Sequence, residues 1–145
     1  MQTKIVNILL VEDNPGDVRL TREAFKDEIF PAMLHVVQDG EQAMRFLKRE
    51  DPYHDAVRPD LILLDLHLPR KNGFETLAEI KNDPDLHAIP VIMLTTSKAE
   101  EDIMRSYDLH ANCFVTKPLD MGQFINTVEM IKQFWMMHAR LRPDD

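Results

Sequence analysis

Apolar residues gather in five short runs separated by stretches with a helical period. Ile5–Val11, Leu34–Gln38, Leu61–Leu66, Val91–Thr96 and Cys113–Thr116 are rich in Val, Ile and Leu and predict strands. The third and fourth runs are almost continuously apolar instead of alternating, as parallel strands are when helices cover both faces. Between the runs, Asn14-Pro15-Gly16-Asp17 turns the chain and sets Asp17 as a cap ahead of Val18, Phe25 and Ile29. Gly40 precedes the stripe Ala43, Met44 and Leu47. Lys71-Asn72-Gly73 precedes Phe74, Leu77 and Ala78, and Asp83-Pro84 ends that segment. A fourth helix is predicted over Ala99–Leu109, with Ala99, Ile103 and Tyr107 on one face, and Asp120 caps a last one. Asp51–Pro59 reads as a polar loop with two prolines, too short to link domains.

Five strand-then-helix units imply right-handed crossovers, hence one doubly wound α/β domain with helices on both sides of a parallel sheet. At 145 residues the chain can bury a single core unaided. Seventeen Lys and Arg against 25 Asp and Glu leave a net charge of −8, and an acidic surface does not attract a phosphate backbone. Apolar runs of about six residues fall far short of the roughly 20 that span a bilayer. One cysteine, Cys113, permits no internal disulfide, and Met1-Gln2-Thr3-Lys4 lacks a signal-peptide pattern. A cytoplasmic protein without nucleic-acid or membrane partners is the expectation.

In open parallel sheets the functional crevice lies beyond the carboxyl ends of the strands. Those ends carry Glu12-Asp13, Asp65, Thr95 and Thr116-Lys117. Three acids held together repel one another unless a cation sits among them, and oxygen ligands from Glu12, Asp13 and Asp65 suit Mg²⁺. A carboxylate can also be the nucleophile in phosphoryl transfer, giving an aspartyl phosphate. Such transfer needs charge neutralisation on the moving oxygens: the metal takes one, Lys117 a second, Thr95 with a backbone N–H a third. Taken singly, each feature has a plainer reading. An Asp at a strand end solvates a loop, an acid pair caps a helix, and Lys-Pro makes an exposed turn. The functional reading rests on all four strand ends carrying matching chemistry.

Over essentially its full length the chain resembles the receiver domain of two-component response regulators. The matching landmarks are Leu10-Val11-Glu12-Asp13-Asn14, Leu64-Asp65-Leu66-His67-Leu68-Pro69 followed by Asn72-Gly73, Leu94-Thr95-Thr96-Ser97, and Thr116-Lys117-Pro118. The resemblance implies a flavodoxin-like three-layer fold of five (βα) units, with strand order 2-1-3-4-5 and an extended C-terminal helix. It implies that Asp65 accepts phosphate from a histidine kinase or phosphotransfer protein. It also implies that Glu12, Asp13, Asp65 and the backbone carbonyl of His67 bind Mg²⁺. Thr95 becomes the switch hydroxyl, Lys117 the phosphate-binding ammonium, and Phe114 the rotating aromatic, here without a hydroxyl. Lys117–Pro118 is expected to be cis. More narrowly, Tyr107-Asp108-Leu109-His110-Ala111-Asn112-Cys113-Phe114, the long second-to-third-element loop and Ile131-Lys132-Gln133-Phe134-Trp135 resemble the small regulators paired with cyanobacterial and bacterial phytochromes.

His67 and Ser97, two positions after the acceptor and the switch hydroxyl, occupy places that tune dephosphorylation in this family. His67 either shields the acyl phosphate or is a solvated loop residue. In the last helix Met121, Phe124, Ile125, Val128, Ile131 and Trp135 form one stripe, expected on the sheet. Met130, Phe134, Met137 and Leu141 form a second, read as a partner surface, most simply a homodimer's, or else as a frayed tail. One receiver domain is expected over residues 1–145, its core at about 4–139, with no output domain after Arg142-Pro143-Asp144-Asp145. Output then has to be a change of protein-binding surface for an unidentified downstream partner. The other readings are an aspartate-nucleophile phosphatase, a dinucleotide or flavin carrier, and a scaffold that is not phosphorylated. The first needs a second acid where His67 stands, and the second a glycine-rich fingerprint that the sequence lacks.

Overall fold

A computed structural model of the chain describes residues 5–26, 31–66, 68–95, 108, 113–116, 125–126 and 128–133, with 94, 95 and 113–116 given by their backbone. Strands β1 (Val6–Val11), β2 (Ala32–Val37), β3 (Leu61–Leu64), β4 (Val91–Thr95) and β5 (Cys113–Thr116) form one sheet in the order β2-β1-β3-β4-β5. All neighbouring pairs are parallel. Val11 lies beside both Val37 and Leu64, Leu64 beside Met93, and Thr95 beside Thr116, so the carboxyl ends share one edge.

Helices α1 (Pro15–Ala24), α2 (Gly40–Lys48) and α3 (Gly73–Asn82) follow the first three strands. Successive strand residues point to opposite faces and build two cores. Leu9, Val11, Ile62, Leu64 and Met93 pack with Ala43, Met44 and Leu47 of α2 and with Leu77 and Ile80 of α3. Ile8, Leu10, Leu61, Leu63 and Ile92 pack on the other face with Phe25, Val128 and Ile131. Every residue of β3 is fully buried, which is why that run does not alternate. Its amino end is tied down as well. The Asn7 N–H donates to Asp60 Oδ2 at 2.9 Å, and the Asp60 N–H donates to the Asn7 carbonyl at 2.7 Å.

Several boundaries differ from the sequence reading. The cap of α1 is Asn14, whose Oδ1 accepts the Asp17 N–H at 3.1 Å; Asp17 is already inside the first turn. That helix also stops at Ala24 instead of running toward Ile29, because Phe25 leaves the helix and turns into the core. β2 begins at Ala32, two residues before its apolar run, since Ala32 and Met33 pair with Val6 and Asn7. Of the predicted fourth helix, only residue 108 is described, and it is helical. In the last helix Val128 and Ile131 of the first stripe are buried, and Met130 of the second is 59% exposed. Ile125, placed on the sheet-facing stripe, is 47% exposed. It sits about 60° around the helix from Val128, at the margin of the stripe. Met121, Phe124, Phe134, Trp135, Met137 and Leu141 lie outside the described residues. Among the described residues, no helix is long and apolar enough to cross a membrane.

Candidate functional site

β1 delivers the first two acids. The Glu12 N–H donates to the Val37 carbonyl at 2.9 Å, extending the β1–β2 ladder one residue past Val11 and leaving Glu12 buried. Glu12 Oε2 in turn accepts the Asn14 N–H at 3.2 Å. Asp13 is exposed. Asn14 then caps α1, so the reading of the acid pair as a helix cap gives way: the cap is supplied by the next residue. β3 delivers the third acid in the same manner. The Asp65 N–H donates to the Val11 carbonyl at 3.1 Å, and Asp65 is 8% exposed. One carboxylate oxygen from each of Glu12, Asp13 and Asp65 lies within 4.8 Å of the others.

Two buried carboxylates and one exposed carboxylate at that separation carry a strong mutual repulsion unless positive charge is shared among them. The donor set is all oxygen, which a hard divalent cation prefers to soft or nitrogen-seeking metals. The residues therefore fit an ion such as Mg²⁺.

The loop that leaves Asp65 is held at several points. The Gly73 N–H donates to the Leu66 carbonyl at 2.9 Å. A Cβ on Gly73 would fall on the Asp65 carbonyl oxygen and within 2.7 Å of Leu66 Cα, so only glycine permits this approach of α3 to Asp65. Asn72 and Glu75 then form a reciprocal capping box at the start of α3. Arg70 adopts a left-handed backbone, φ 60°, and its guanidinium donates to Asp39 Oδ2 at 2.6 Å. Lys71 pairs with Glu79 of α3, and Lys48 of α2 reaches the same carboxylate at 3.5 Å.

The remaining predicted site residues are only partly placed. Thr95 and Thr116 end adjacent strands and pair in register, and Phe114 pairs with Met93. The side chains of Thr95 and Phe114 are not described, and His67, Ser97, Lys117 and Pro118 lie outside the described residues. The cis X–Pro bond among the described residues is Asp51–Pro52. Sequence reading passed over Asp39, Arg70 and Glu79. Asp39 carried a signal: Asp-x-x-Gln ahead of an apolar stripe is a capping pattern, and Asp39 Oδ1 indeed accepts the Gln42 N–H at 2.9 Å.

Residues 8–129 match the response regulator receiver domain family, and the chain belongs to it. It is 47% identical over 129 residues to the response regulator Rcp1 of Synechocystis, covering 89% of this chain and 88% of that one. A crystal structure of the phosphorylated cyanobacterial phytochrome response regulator RcpA superposes with a TM-score of 0.89 at 49% identity, over 94% of this chain and 97% of RcpA. The Mn²⁺-bound form of Rcp1 superposes with a TM-score of 0.84, over 90% of this chain and 94% of its own.

Proposed function

We propose that this receiver is a phosphoacceptor in a two-component relay, with Asp65 as the residue that takes the phosphoryl group. The observation that carries the reading is the meeting of Glu12, Asp13 and Asp65 at the carboxyl edge of the sheet, two of them buried. The phosphorylated state of RcpA and the Mn²⁺ bound by Rcp1 support it.

A carboxylate oxygen of Asp65 attacks phosphorus in line with the P–N bond of a kinase phosphohistidine. That bond breaks, its electron pair returns to the imidazole nitrogen, which takes up a proton, and an acyl phosphate forms on Asp65. Glu12, Asp13 and Asp65 would hold Mg²⁺ together with the backbone carbonyl of His67. The ion supplies charge neutralisation for the carboxylates and one phosphoryl oxygen. Lys117 and the Thr95 hydroxyl would take the other two oxygens. Drawing Thr95 inward leaves room for Phe114 to follow, and the surface formed by β5 and the helices beside it alters its affinity for a partner. His67 and Ser97 would set how readily water reaches the acyl phosphate.

The kinase is of the phytochrome type by likeness to RcpA, and the setting cytoplasmic. The chain acts as one signalling domain whose own chemistry is confined to gaining and slowly losing the phosphoryl group. Met130, exposed on the last helix, would form a homodimer surface with Phe134, Met137 and Leu141. The deciding experiment is incubation with Mg²⁺ and a small acyl phosphate, read by intact-mass spectrometry. One added phosphoryl group per chain, absent from Asp65→Asn and from a sample treated with chelator, is expected. No adduct on the wild-type chain leaves only a scaffold, and catalytic turnover of the donor indicates a phosphatase.

A further inference from the structure

The stretch from Val37 to Gly40, where β2 passes into α2, touches both the Glu12 backbone and the loop that follows Asp65. The Val37 carbonyl accepts the Glu12 N–H at 2.9 Å, fixing the backbone that carries the first acid. Two residues on, Asp39 is 1% exposed and accepts the Arg70 guanidinium at 2.6 Å. The next residue, Gly40, donates its N–H to the Lys71 carbonyl at 3.1 Å. A Cβ at Gly40 would stand 2.5 Å from that same carbonyl and would overlap the Thr76 hydroxyl of α3. Arg70 and Lys71 belong to the loop that starts at Asp65 and closes at Gly73, whose Cα rests on the Asp65 backbone. One short segment thus connects the Glu12 arm with the loop bearing the acceptor.

Nothing in the chemistry of phosphoryl transfer calls for this. Asp39 already completes its task as a helix cap through Oδ1, which accepts the Gln42 N–H at 2.9 Å. Its second oxygen is free to face a cation 31 positions away in the chain, on a residue held in a left-handed backbone. A charge-assisted bond to a buried carboxylate fixes direction as well as distance.

We infer that Asp39 and Arg70 are positioning residues: their ion pair, with the Gly40–Lys71 hydrogen bond, braces the Asp65 loop against the Glu12 arm and so sets the spacing of the three carboxylates that take the divalent ion. The inference rests on the phosphoacceptor reading for its purpose, but its primary test does not require phosphorylation. Ion coordination depends steeply on the spacing of ligand atoms, and groups that orient ligands govern affinity almost as strongly as the ligands themselves.

The test is calorimetric titration of the full chain with Mg²⁺ and with Mn²⁺, for wild type, Asp39→Asn, Arg70→Ala, Arg70→Lys and the Asp39→Asn/Arg70→Ala pair. Asn retains the helix cap, and Arg70 is largely exposed, so the folded state should survive both changes; urea unfolding checks it. A brace predicts that Asp39→Asn and Arg70→Ala each weaken ion affinity by roughly tenfold, that Arg70→Lys recovers part of the loss, and that the double variant is no worse than either single one. The Mg²⁺ concentration for half-maximal labelling should rise by the same factor while the labelling rate at saturating Mg²⁺ stays near wild type. Unchanged affinity in both single variants, or losses that multiply in the double, would overturn the brace. A wild-type chain that binds the ion yet takes no label would sink the acceptor reading alone, with the brace still judged by affinity. A chain that binds no ion would sink both.

Discussion

Only a hydrogen fits on the Gly73 Cα, because the backbone of Asp65 and Leu66 occupies the place a side chain would take. The angle is ordinary and the constraint is space, so an added methyl must displace either α3 or the loop after Asp65. Gly73→Ala is expected to lower stability in urea unfolding by about 1–3 kcal/mol, as overpacking does, and to weaken divalent-ion uptake with it. Gly16 is the internal comparison. A Cβ there meets one flexible side-chain atom, Asn14 Oδ1, at 3.2 Å, so Gly16→Ala should cost clearly less. Equal losses at the two glycines would contradict this account. At the same scale, the acids of the cluster were legible in the sequence because all three lie within two residues of the end of an apolar strand, where topology puts them at the carboxyl edge. The pairing of Asp39 with Arg70 was not, since an ion pair spanning 31 positions leaves no local period or spacing to read, and the capping pattern at Asp39 points only to Gln42.

Between elements, α2, α3 and the loop after β3 are laced together by Glu79 with Lys71 and Lys48. The Lys71 hydrogen bond, against an opposing push from burial and with help from both lysine charges, holds the Glu79 carboxyl below its ordinary range. A lowered value in the folded state means that Glu79 adds stability above the ordinary carboxylate range and loses it as pH falls through the folded value. Glu79→Gln should therefore be less stable than wild type at neutral pH, by no more than about 1 kcal/mol for so solvent-screened a group. The two unfolding curves should converge in acid; a gap that persists there would mean that the loss is one of packing. Periodicity foresaw α1, α2, α3 and the strands, yet their ends were set elsewhere. β2 starts where β1 offers partners, and α1 stops where Phe25 finds the core. Such limits belong to tertiary contacts, which a local pattern does not contain.

For the molecule as a whole, the order and parallel pairing of the sheet followed from alternating strand and helix signals together with the family's landmarks. The two-sided burial of β3 was already visible in its unbroken apolar run. The second apolar stripe of the last helix makes a prediction at this scale. Sedimentation across a wide concentration range should reveal a dimer, strengthened by beryllofluoride and weakened by Met130→Glu. A strict monomer under every condition would refute self-association. The strand that leads into Asp65 has a mechanical consequence. β3 is locked at one end by Asn7 and Asp60, at the other by the Asp65 N–H on Val11, and is walled in along its length by two cores. It would serve as an anvil: a doubly charged group placed on Asp65 would meet a strand held at both ends and on both faces, so any movement it provoked would begin elsewhere in the crevice.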